Sequence, residues 1–167
     1  DTAHLFAPQD AWRFRWNKND DTPLPPDEPA GQNPPDGAIV HYFLKSAAQS
    51  VTLEILDAQG RVVRKYSSSD PIEPPVEGRN IPDYWIRPPQ QLSAAAGSHR
   101  FVWDLRHARP AVVNFSYPIA AVYRNTEKEP RGSWVLPGRY TVRLTVDGTR
   151  YEQPLVVRMD PRVKTPP

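Results

Sequence analysis

Proline restricts this chain more than any other feature: 21 of its 167 residues are proline. Each one fixes φ, removes a backbone donor and breaks a helix interior. The chain therefore favours short strands joined by irregular loops. What lies between the prolines agrees, because no window shows a sustained 3.6-residue apolar period, whereas several short runs alternate apolar and polar residues. The length supports one domain with a proper core and is short for two.

Charge excludes some functions. The 21 basic and 19 acidic side chains are interleaved and leave a formal net charge of +2, so no strong field is expected. Without a lysine or arginine run, nucleic acid is not an expected partner. The absence of cysteine removes disulfides and thiolate metal sites. No stretch reaches the roughly 18 apolar residues needed to cross a bilayer, and the start DTAHLF lacks a signal-peptide pattern. Membrane insertion is not expected, and any export signal would lie upstream.

Residues 1–37 read as an extended proline-rich arm. Its Leu5, Phe6, Trp12, Phe14 and Trp16 are too apolar for a solvated linker, so the arm is expected to lie against its own domain or a neighbour. From Ala38, the runs AIVHYFLK, VTLEIL and VVRKY predict a three-strand meander over 38–66, with SAAQS as a hairpin-length connection and Gly60 in a tight turn. Residues 67–96 form a long proline-rich insertion. GSHRFVWDLR then reads as a strand, with Phe101, Trp103 and Leu105 on one face and Arg100, Val102 and Asp104 on the other.

A second irregular segment, about 108–136, leads to the clearest local signal, the hairpin GRYTVRLTVDGTRYEQPLVV, where Asp147-Gly148 suits a type I′ turn. Pro154 in its returning strand points to a sheet edge or bulge. Together these features predict an all-β, antiparallel immunoglobulin/fibronectin-III-like sandwich of 6–8 strands over 38–163, with a short tail at 164–167.

Four segments resemble a known family: GQNPPDGAIVHYFLK (31–45), GSHRFVWDLR (97–106), LPGRYTVRLTVDG (136–148) and MDPRV (159–163). They look like the C-terminal immunoglobulin-like domain that follows a BNR/sortilin-type β-propeller in bacterial exported proteins, often labelled glycosyl hydrolase. The chain is also similar to the immunoglobulin-like domain of flagellar hook-capping proteins. The resemblance implies an accessory domain with the upstream propeller as its partner, in an extracellular or periplasmic setting. Any hydrolase activity would belong to the parent protein.

The residues themselves point the same way. Trp103 is expected in the core, Asp104 and Arg106 are expected to pair, and the Asn33-Pro34-Pro35-Asp36-Gly37 run directs the chain into its first strand. His4, His41, His99 and His107 lack zinc-site spacing, Asn17, Asn19, Asp20 and Asp21 lack the rest of a calcium loop, and no G-x-S-x-G elbow is present. No catalytic residue, metal or cofactor is therefore assigned.

Two groups remain. Phe6, Trp12, Phe14 and Trp16 are the expected contacts to a neighbouring domain. Tyr84 and Trp85, between Pro82 and Pro88-Pro89, together with Trp134 and Tyr123, are candidate ligand-stacking aromatics. The alternative function they suggest is carbohydrate binding, with polysaccharide as partner.

Overall fold

The computed structural model describes residues 2–14, 27–29, 31, 34–72, 90–111 and 131–164. Eight strands run in chain order: β1 (Ala3–Leu5), β2 (Ala11–Arg13), β3 (Ala38–Leu44), β4 (Val51–Leu56), β5 (Val62–Ser67), β6 (Gly97–Trp103), β7 (Gly138–Val146) and β8 (Thr149–Met159). They form an all-β sandwich of two sheets, a three-stranded one ordered β1-β3-β6 and a five-stranded one ordered β2-β8-β7-β4-β5. No helix is present among the described residues.

Alternation builds the core. Val40, Tyr42 and Leu44 on β3 face Leu53, Ile55, Val142 and Leu144 across the interior, and all are buried. Trp103 lies among them, as expected, its ring edge-on to Tyr140 at 5.7 Å and its Nε1 donating to the Arg106 carbonyl at 3.0 Å. Burial of this kind contributes roughly 1.5–3 kcal/mol per large apolar side chain. The Tyr42 hydroxyl donates to the Ser93 carbonyl, and burial pushes its ionisation up to about 12 despite that bond. Tyr140, at the start of β7, donates to the Leu136 carbonyl four residues upstream at 2.6 Å. That bond fixes the corner where the chain enters the sheet.

Three expectations change. First, the meander over 38–66 does not form: β3 belongs to one sheet while β4 and β5 belong to the other. The residues between β3 and β4 arch across the sandwich, since β4 finds its partner in β7, with Leu53 opposite Leu144. A connection this short suits an arch between sheets about 10 Å apart as well as a hairpin. Second, the sandwich starts well before Ala38, because the arm supplies an edge strand to each sheet. β1 pairs antiparallel with β3, and the Gln153 amide reaches the Leu5 carbonyl at 3.1 Å. Third, the sheets are not wholly antiparallel: β2 runs parallel to β8 over Ala11–Arg13 and Val157–Met159.

The last hairpin forms as predicted. Asp147 and Gly148 both have positive φ, 46° and 86°. Pro154 lies outside the Val157–Met159 stretch that β2 covers, on the part of β8 that has β7 alone as neighbour.

Candidate functional site

The arm determines what the surface presents. Along β1 and β2, small or aliphatic residues turn inward and large aromatic ones turn outward: Ala3, Leu5 and Ala11 are buried, while Phe6 is 45% and Trp12 40% exposed. The two sheets then offer very different outer faces.

On the five-stranded sheet, the outward residues carry charges of both signs in register. Glu54 lies opposite Arg143 and Lys65, and Arg143 lies opposite Glu152. The resulting chain of pairs measures 3.9 Å for Lys65–Glu54, 3.5 Å for Arg143–Glu54 and 2.6 Å for Arg143–Glu152. Hydrogen bonding to Glu152 raises the Arg143 ionisation. Such a self-neutralised network suits a face kept in water.

At the edge of that sheet the arm aromatics form a stack. The Trp12 and Phe14 rings are nearly parallel, 6.2 Å apart, with the Arg158 guanidinium 5.9 Å from the Trp12 ring and that of Arg162 5.9 Å from the Phe14 ring. Asp10 pairs with Arg158, and Asp160 with Arg162. Each cation–π contact is worth about 0.5–1 kcal/mol at an exposed position. Together they fasten the three-residue strand β2 to β8.

The outer face of the three-stranded sheet is built otherwise. His4, Phe6, Ile39, His41, Phe43, Ser98, Arg100 and Val102 point outward, with His4 opposite Phe43, His41 opposite Arg100, and Ile39 opposite Val102. Phe43 is 38% exposed, and the His4 and Phe6 rings meet edge-on at 4.5 Å. Lys45 extends the basic character just beyond β3, its backbone N–H bonded to the Thr2 carbonyl. The strand residues of this face include no acid, and Asp104 follows directly after β6.

One edge of that sheet is closed by a side chain. The Gln90 amide accepts from the Val102 N–H at 2.6 Å and donates to the Val102 carbonyl at 2.9 Å. It supplies the pair of bonds that a neighbouring strand would make.

Trp134 is drawn into the protein's own packing. The guanidinium groups of Arg13 and Arg106 lie 5.2 Å and 4.8 Å from its ring centroid, and each also donates to a backbone carbonyl, Val135 and Gly132 respectively. The Asp104 carboxylate accepts the Arg106 backbone N–H at 3.2 Å. Leu105 between them is buried at a positive φ of 57°, an uncommon conformation for a bulky residue. The Val135 N–H bonded to its carbonyl helps hold it there.

Trp16, Tyr84, Trp85 and Tyr123 lie outside the described residues, as do the Asn17 to Asp21 cluster and Asn33. Phe6, Trp12 and Phe14 are placed on two different sheets and do not form one patch. Sequence reasoning missed Phe43, His41 and Arg100 as surface partners of the arm. The alternation in Ala3-His4-Leu5-Phe6 was the one signal that pointed to it. Among the described residues, no group of three or more His, Cys, Asp or Glu is placed to hold a metal ion.

No family model matches this chain, and no curated protein does. Among solved structures, the crystal structure of CopC from Methylosinus trichosporium OB3b aligns with a TM-score of 0.34 and 11% identity, covering 77% of this chain and 81% of that one. A likeness at that level carries no argument about function.

Proposed function

We propose that this chain is a non-catalytic accessory domain of a larger exported protein, extracellular or periplasmic, which packs on a neighbouring domain and spaces it. The resemblance described above makes that neighbour a BNR-type β-propeller. The immunoglobulin-like character of the reading is supported by the strand order and by the Tyr140 corner.

A single observation carries the proposal. The arm directs Ala3 and Leu5 inward and leaves Phe6 45% exposed on the same outer face as Phe43, itself 38% exposed. Burying a side chain of that size is worth roughly 1.5–3 kcal/mol, so a domain that worked alone would gain from the reverse arrangement. Aromatic residues held outward on ordered strands suit a surface that a neighbour covers. The carbohydrate-binding alternative gains no such support, because two guanidinium groups already lie over the Trp134 ring.

The test compares this domain alone with the natural chain extended toward its N-terminus. The proposal expects the domain to unfold at a higher temperature in the longer chain, and Phe6→Ser to remove most of the difference. Equal unfolding temperatures would refute it, and saturable binding to an insoluble polysaccharide would move the assignment to the alternative.

A further inference from the structure

Within the accessory-domain reading, on which it rests, we infer that the neighbouring domain sits on the outer face of β1-β3-β6 and presents an acidic surface around an apolar centre. Three observations converge on this face.

The first is composition. Arg100 on β6 and Lys45 just past β3 are the formal charges of this face, both basic, and they lie among the apolar Phe6, Ile39, Phe43 and Val102. The opposite sheet shows how the same fold builds a face for water, with the Glu54–Arg143–Glu152 chain. Apolar side chains flanked by charges of one sign fit a protein surface of the opposite sign. A second copy of this chain is a poor occupant, since two such faces would bring basic groups together.

The second is size. Three strands about 4.8 Å apart, with three residues on β1 and seven each on β3 and β6 at about 3.4 Å each, give a patch of about 280 Å². That is well under half of the roughly 800 Å² per side that a stable complex between free proteins buries. Counted on both sides it comes to about 560 Å², at the foot of the roughly 600–1,500 Å² that domains of one chain bury against each other. A covalent tether supplies an effective concentration in the millimolar range, so a patch this small suffices for a linked partner.

The third is position. β1 is the edge strand of this sheet, and the Thr2 carbonyl is bonded to the Lys45 N–H at the margin of the face. Any polypeptide N-terminal to residue 1 is therefore delivered beside it. The end of the described chain, at Lys164, follows β8 in the other sheet.

The experiment measures docking within the natural chain extended through its preceding domain, as the rise in this domain's unfolding temperature over the domain alone, by calorimetry at low and high salt, and repeats it with single variants made in both. Arg100→Glu and Phe43→Ser alter exposed side chains, so both variants should fold, which circular dichroism checks. Docking should weaken roughly 10-fold or more with either variant and fall with salt, while Trp12→Ser on the other sheet leaves it unchanged. Docking that survives both variants and disappears with Trp12→Ser would overturn the face and leave the accessory reading standing. Docking lost with Phe43→Ser but indifferent to salt and to Arg100→Glu would overturn the acidic partner. Absence of docking within the extended chain would overturn the accessory reading as well.

Discussion

Asp147 serves two purposes, and substitution can separate them. Its backbone takes a left-handed conformation in the β7–β8 turn, with φ of 46°. Its Oδ1 also accepts the backbone N–H groups of Gln49 at 2.9 Å and Ser50 at 2.8 Å, which lie in the arch between β3 and β4. Asp147→Asn keeps both an acceptor oxygen and a tolerance for positive φ, so a loss of less than about 1 kcal/mol is expected. Asp147→Gly keeps the turn and removes the acceptor. Two exposed hydrogen bonds, each worth about 0.5–1.5 kcal/mol net, then put the loss at about 1–3 kcal/mol. Asp147→Ala removes the acceptor and adds roughly 1–2 kcal/mol of left-handed strain, for a total near 2–5 kcal/mol. Urea unfolding midpoints at one pH give the three values, and hydrogen exchange at the Ser50 amide shows whether the arch has loosened. A glycine variant as stable as the parent, or an alanine variant no worse than glycine, would refute the division of roles.

Three further perturbations test other parts of the fold. Gln90→Ala should cost about 1 kcal/mol, because water takes over part of both bonds, and should raise the exchange rate of the Val102 amide in particular. Unchanged protection at Val102 would show that the amide does not close the edge. Gly132→Ala places a methyl carbon 2.0 Å from the His107 carbonyl oxygen, a backbone clash that should cost about 1–3 kcal/mol in a denaturant titration. Hydrogen bonds from Arg162 hold the Asp160 carboxyl below its usual range. A group whose ionisation is lowered by folding stabilises above its unfolded value, about 3.9, and loses that contribution as pH falls through the lower folded value. The difference in unfolding temperature between the parent and Arg162→Met should therefore be present at pH 6–7 and shrink as pH falls below about 3.9. A constant difference would show that Arg162 acts through packing on Phe14 alone.

Strands long enough to alternate were legible in the sequence, and β3, β6, β7 and β8 appear where the pattern put them. Gly148 after Asp147 marked its own turn, because few residue pairs tolerate two successive positive φ values. The arm strands were not legible as such, since Ala3–Leu5 and Ala11–Arg13 are shorter than any window in which a period can be recognised. Nor does a parallel pairing such as Ala11 with Val157 leave any mark in local sequence. The meander was misread because the choice between hairpin and arch depends on where β7 lies, some 90 residues downstream of β4. Arg100, His41 and Phe6 come from three separated segments, so the basic and aromatic face exists only once β1, β3 and β6 are neighbours.

The parallel pairing of β2 with β8 also has a mechanical consequence. Tension applied between the two ends of the domain reaches β1 on β3 first; past it, the same pull draws β2 back toward its N-terminus and β8 forward toward its C-terminus, so the two slide along a common axis in opposite directions. Their ladder bonds and the Asp10–Arg158 pair are then loaded together in shear, where a perpendicular pull would open them one after another. Force spectroscopy would read this as one cooperative rupture that follows the release of β1.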